Sequence, residues 1–205
     1  MSHASLYVRS TVLARAGRVV VVAIMPLALA ACGIGSVPQG GEYATTATAI
    51  ALEIGTLPVE NAKMGYCFAY PRGYGLVGGD ETPEVFGPPS DTNPHPGLLW
   101  ITMVDAGGKT AEAIAEEEVE AVAGLEPPRY TVVLGGEEAL VLDGMPGQDP
   151  IRKVYLVRDG MLYTLSFSPY RSGNAEADAQ METLYAVVTS SWQWLSSEVE
   201  CTGTD

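Results

Sequence analysis

From Met161 to Ser168 the chain alternates: Met161, Tyr163, Leu165 and Phe167 interleave with Leu162, Thr164 and Ser166. A period of two is the mark of a strand with one face well buried. Ile151 to Arg158 precedes it across Asp159-Gly160, a dipeptide that closes two-residue hairpins. A second hairpin is expected where Gly135-Gly136 joins Tyr130–Leu134 to Glu137–Leu142. Leu98 to Val104 is apolar on both faces and reads as a central strand covered on both sides. Phe68 and Tyr70 alternate ahead of Pro71, so the folded domain opens near Gly65 with a short strand. Residues 71–97 are rich in Gly and Pro and read as a long loop, while Ile50 to Ile54 can add an edge strand.

Two segments switch to the helical period. After Thr110, a fitting N-cap, Ala111, Ile114, Ala115, Val119 and Val122 share one face, with Glu112, Glu116, Glu117 and Glu120 opposite. Glu118 falls beside the apolar stripe, and a carboxylate there needs a partner. The second helix spans Asn174 to Ser190, with Ala177, Met181, Leu184, Tyr185 and Val188 on one stripe and Glu176 and Asp178 at the favourable end of its dipole. Trp192 and Trp194 follow in an extended segment that folds back onto the sheet. The order argues for an α+β protein, an α/β/α sandwich with a central, mainly antiparallel sheet of about six strands and two main flanking helices.

Ahead of all this, Arg9, Arg15 and Arg18 precede an apolar run from Val19 to Ala31 that contains Pro26. The run is shorter than the roughly 20 residues a spanning helix needs, and it has the layout of a secretory signal. Its end, Leu29-Ala30-Ala31-Cys32, resembles the lipobox of bacterial lipoproteins. That resemblance implies cleavage before Cys32, acylation of its thiol by diacylglyceryl and palmitate-type chains, and a lipid-anchored protein on the extracytoplasmic face of the cell membrane or outer membrane. Ala28, Ala30 and Ala31 also permit a plain signal-peptidase site, which would leave no anchor. Residues 1–31 are then signal, 32–50 a flexible Gly/Thr/Ala-rich tether, 51–200 one globular domain and 201–205 a tail.

Charge narrows the partners. The full chain carries −14, and loss of Arg9, Arg15 and Arg18, with no acid among them, brings the mature chain to −17. So acidic a body is a poor ligand for nucleic acid or an anionic lipid surface. With Cys32 acylated, Cys67 and Cys201 remain as an even pair in an oxidising compartment and read as a disulfide; the alternative is two unrelated thiols.

Candidate chemistry is sparse. Gly107-Gly108-Lys109-Thr110 lies between strand and helix as a phosphate loop would, but Met103 stands where that motif needs its first glycine, and nucleotide binding is not expected. His95, the one histidine after the signal, has Ser90 and Asp91 nearby in a proline-stiffened loop without a nucleophile elbow. Asp143-Gly144-Met145-Pro146-Gly147-Gln148-Asp149 sets two carboxylates around a Gly-rich turn, a possible Ca²⁺ site; with Arg152 beside it, the same loop could contact a partner.

The pieces Tyr66-Cys67-Phe68-Ala69-Tyr70-Pro71, Gly136–Leu142, Gly160–Phe167 and Ser191-Trp192-Gln193-Trp194, in this order, resemble the PsbP-like superfamily, which includes a Ran-binding import factor and LpqN-type lipoproteins. The resemblance implies an α/β/α sandwich with accessory or binding roles, no catalytic residues and no cofactor. The expectation is a non-enzymatic binding or accessory module in an envelope protein complex; a carrier or sensor of a small ligand or cation, and an enzyme of unrecognised class, are the alternatives.

Overall fold

A computed structural model describes residues 55–78, 82–195 and Cys201. The lipobox, the tether, Ile50–Ile54 and the tail beyond Cys201 lie outside the described residues.

Seven strands form the main sheet: β3 (Gly75–Val77), β4 (Glu84–Phe86), β5 (Leu98–Asp105), β6 (Arg129–Leu134), β7 (Glu137–Met145), β8 (Ile151–Arg158) and β9 (Met161–Ser168). Their order is β3-β4-β5-β9-β8-β7-β6, and every pairing is antiparallel. A smaller sheet has the order β1-β2-β10, from Thr56–Asn61, Tyr66–Pro71 and Gln193–Trp194. The helices are α1 (Ala111–Glu120) and α2 (Ala175–Ser191). The α+β class stands, with seven strands in the main sheet rather than six.

Both hairpins form where the dipeptides place them. Asp159 and Gly160 have φ of 51° and 78°, and Gly135 and Gly136 have 60° and 86°. Two successive positive φ values give the turn whose twist matches paired strands. Gly135 has a second reason to be glycine, since a Cβ there would lie 2.7 Å from Trp194 Nε1.

Alternation then sorts side chains onto two faces. On one, Leu99, Ile101, Val141, Val154, Leu156, Leu165 and Phe167 pack against β1, β2 and the stripe Met181, Leu184, Tyr185 and Val188 of α2. On the other, Leu142, Met145, Tyr155 and Leu162 pack under Ala111, Ala115 and Val119 of α1. Thr110 caps α1 by accepting from Ala113 N, and Asn174 caps α2 by accepting from Glu176 N and Ala177 N.

Two expectations are corrected. The stretch 71–97 is not all loop, because β3 and β4 pair as a hairpin at the sheet edge; strands of three residues are too short to display an alternation. The domain does not begin at Gly65, because β1 pairs with the whole of β2. Trp192 and Trp194 fold back as expected: β10 pairs with β2 of the small sheet, and Trp194 packs on Tyr163 and Arg158 of the main one. On the small sheet Trp192 stacks on Tyr66 at 4.3 Å and on Phe68 at 5.7 Å between ring centroids. β5 is interior as expected, yet its cover is uneven: Leu99 and Ile101 are wholly buried and Val104 is 53% exposed.

Cys67 on β2 is bonded to Cys201, with 6.1 Å between Cα atoms and 134 residues of separation. The bridge pins the chain end to the small sheet. Closing so long a loop restricts the unfolded chain, and loop-entropy models set the gain at no more than about 5 kcal/mol. Cys201→Ser is therefore expected to lower the urea midpoint sharply at unchanged native circular dichroism. Equal midpoints for the variant and the oxidised protein would show that the bridge adds nothing to stability.

Candidate functional site

A buried polar network begins on β8. Residues Arg152, Val154 and Leu156 share one parity and turn towards α2. Arg152 is therefore carried into the core with its charge. Its Nε and Nη2 donate to Asp143 Oδ1 and Oδ2 at 2.6 and 3.3 Å, and Nη1 donates to Glu182 Oε2 at 2.8 Å. The guanidinium also lies over the rings of Tyr185 and Tyr170, at 4.3 and 4.8 Å from their centroids. Burial by itself would push Arg152 down; Asp143, Tyr130 and Glu182 outweigh it and hold the group above the ordinary arginine value. Burial raises Tyr130 well above the usual phenol value and also raises Tyr185, so this cluster contains one fixed cation, two carboxylates and neutral hydroxyls.

Asp143 reaches Arg152 because the β7–β8 register, Val141 opposite Val154 and Leu142 opposite Lys153, sets the two across from each other on the α2 face just before the ladder shifts towards Met145. In the loop considered for a cation or a partner, Asp143 and Arg152 engage each other. Both oxygens of Asp143 are committed to Arg152, and among the described residues no three His, Cys, Asp or Glu gather in a way that could hold a metal ion. Arg152, expected to face a partner, is 6% exposed and faces the core instead. Asp149 is half-buried in the connecting loop and makes no contact in this network.

The next residue of β8 repeats the device on the opposite face. Lys153 pairs with Glu118 of α1, and Tyr155 Oη donates to Glu118 Oε2 at 2.6 Å. Burial, then Glu118, keeps the Tyr155 hydroxyl protonated far beyond its ordinary range. The carboxylate that the helical wheel set beside the apolar stripe thus has its partners.

Other candidates have local uses. Gly107 N donates to Asp105 Oδ1 at 2.7 Å, and Lys109 Nζ donates to Glu117 at 2.6 Å, so the strand–helix junction is a capped turn. Ser90 and Thr92 both donate to Glu176 Oε2, at 3.0 and 2.9 Å, and hold their loop on the start of α2 while His95 stays exposed. Gln180 completes that attachment, donating to Pro88 O and accepting from Gly97 N and Asn93 Nδ2. Sequence reasoning missed Glu182, Tyr170 and Tyr185 as partners of Arg152. The available signal was a charged residue on the buried parity of an apolar strand.

No known protein family model matches the chain, and no curated protein does. Solved structures with a similar chain course include the solution structure of cyanobacterial PsbP from Synechocystis sp. PCC 6803, at 14% identity and TM-score 0.45, covering 82% of this chain and 99% of that one. A crystal structure from Bacteroides thetaiotaomicron VPI-5482 has 11% identity and TM-score 0.43, covering 71% of this chain. This chain spans 50% of the length of that Bacteroides chain. Likenesses at this level carry no residue role and no activity across.

Removing one partner of a buried ion pair strands the other, at about 3 to 5 kcal/mol. Arg152→Met should lose stability of that order in urea unfolding, and Arg152→Met with Asp143→Leu should regain part of it. Additive losses in the double variant would separate the two side chains energetically.

A pH limit follows from Tyr74, which donates to Gln180 O at 3.1 Å and whose hydroxyl burial pushes up to about 12. The unfolded phenol ionises near 10, as an approximate reference. The unfolded chain therefore loses its proton first as pH rises. Stability from this group is complete below pH about 10 and falls as pH climbs through 12. Tyr74→Phe should flatten the decline in thermal midpoint across that window, and an unchanged slope would exclude Tyr74 as its source.

Proposed function

We propose that this chain is a lipid-anchored extracytoplasmic protein whose folded domain is a non-enzymatic binding or accessory module in an envelope complex. The carrying observation is the division of its cysteines. Cys67 and Cys201 bond to each other across the domain, and the remaining Cys32 stands directly behind Leu29-Ala30-Ala31. A bridge of this kind belongs to an oxidising compartment. A third thiol at the end of an apolar segment is then the natural acceptor of the lipid. None of the helices among the described residues is long and apolar enough to cross a membrane, so in this reading attachment rests on the acyl chains.

The domain's chemistry supports a binding role. The buried charges Arg152 and Asp143 and the half-buried Lys153 and Glu118 join strands to one another and to the helices. In this reading they hold a rigid surface in place, and the contact with a partner falls to exposed residues.

Palmitate labelling in cells tests the anchor. The wild-type chain should incorporate label and sediment with membranes, while Cys32→Ser should stay unlabelled, retain its signal or become soluble. A Cys32→Ser protein that is labelled, or that loses its signal and still sediments with membranes, would defeat the proposal. The module reading is tested by in-cell crosslinking, which should give one reproducible envelope partner.

A further inference from the structure

The main sheet ends in two unlike edges. β3 has three residues and begins with Gly75, and an edge so short offers little to a neighbouring chain. β6 has six, Arg129–Leu134, with no proline and no lysine inside it. Among the described residues it pairs with β7 alone. Natural edge strands are usually guarded by such residues or by cover. The one charge in β6, Arg129, is bound to Glu116 at 3.0 Å.

Cover is missing on one face. Arg129, Thr131 and Val133 share the parity that looks towards α1, but α1 lies mainly across β7 and β8 and meets β6 at its first residue through the Arg129–Glu116 pair. Val133 is 68% exposed, the largest value among the exposed large apolar residues described, and Tyr130 is 37% exposed on the other face. The acid that faces this patch is Glu138, exposed on β7 directly opposite Val133, while Glu116 and Glu137, which flank the strand, are paired with Arg129 and Arg158. The chain as a whole carries −14.

We propose that β6 is a docking edge that takes an extended, basic segment of a partner protein as an additional antiparallel strand. Backbone groups of β6 supply the hydrogen bonds, Val133 gains apolar cover, and lysine or arginine side chains of the incoming strand meet Glu138 and its neighbours. Net charge disfavours a second copy of this acidic chain as occupant. The inference rests on the reading of the domain as a binding module and gives that module's partner a chemistry.

Purified mature protein tests the edge without any membrane, so its outcome is independent of lipidation at Cys32. Two synthetic peptides serve as probes, one alternating Lys with Val and one alternating Glu with Val. The basic peptide should slow amide exchange across Tyr130–Leu134 at low salt, with affinity falling about tenfold as salt rises several-fold through screening. The acidic peptide should do neither. Val133→Lys, at an exposed site that tolerates charge, should weaken the basic peptide about tenfold or more, and Thr131→Pro should do likewise by removing a backbone donor. Val104→Lys, on β5, should leave binding unchanged. Protection confined to the acidic face of α1, or binding indifferent to Val133→Lys, would overturn the proposal. A photo-crosslinker at Val133 in intact cells should attach to a basic, extended segment of another polypeptide. Attachment to a second copy, or to residues 33–54 of the same chain, would equally overturn it.

Discussion

A seven-stranded sheet has two faces to keep dry, and among the described residues a single short helix lies on one of them. At about 1.5 Å per residue, the ten residues of α1 reach roughly 15 Å, while seven strands about 4.8 Å apart span nearly 30 Å. The helix therefore covers a part of that face and leaves the rest to the side chains. It lies over β7 and β8, where Leu142, Met145 and Tyr155 are fully buried beneath it. Away from that strip, Val104 and Val133 emerge into solvent. The other face has the seventeen-residue α2 and the three-stranded sheet, and its residues are closed in from Leu99 to Leu134.

Strand β8 sets how both helices sit. Adjacent side chains on a strand point to opposite faces. Arg152 points to α2 and meets Glu182; Lys153 points to α1 and meets Glu118. A slip of one residue in β8 would present each helix with the wrong cation and move Val154 and Leu156 off the larger core. The two pairs differ in cost. Glu118 and Lys153 keep 37% and 18% of their side-chain surface in contact with water, whereas Arg152 and Asp143 keep 8% and 7%. A desolvated pair is weak evidence for stability but strong evidence that both members must be present. The tyrosine rings against Arg152 add cation–π contact to a guanidinium that water no longer reaches.

The parts of this architecture that were legible in the sequence are those governed by local periodicity and turn chemistry. Asp159-Gly160 and Gly135-Gly136 specify their hairpins within two residues, and Thr110 and Asn174 start their helices by side-chain capping that needs no tertiary partner. The class of fold and the disulfide partners were legible for similar reasons. What escaped depends on contacts distant in sequence. β3 and β4 exist because the edge of β5 is there to template them, and the ring of Phe86 occupies the space beside Gly75. Asp143 reads as a metal ligand in a Gly-rich turn until Arg152 is known to face it across the β7–β8 hairpin. Parity along β8 carried the signal that Arg152 turns inward, but the sequence reading set that residue towards a partner, and nothing local indicates that Tyr185 and Glu182, about thirty residues later, receive it.

Stability and exposure fall in different parts of the fold. The disulfide, the stacked rings of Trp192, Tyr66 and Phe68, and the short β10 all act on the small sheet. Arg152 and Asp143 tie β7 and β8 to α2. Strand β6 contributes Leu134 to the core and is braced by β7, yet most of its length is exposed. Substitutions on its outer face therefore remove little buried area, and changes there are expected to be nearly neutral for folding. Tyr130 reaches back to the Arg152 cluster, whereas Val133 is exposed on the outer face of an edge without a proline or lysine guard. In the proposed complex, a strand edge with no further partner among the described residues and an exposed valine are both satisfied by a strand laid beside them.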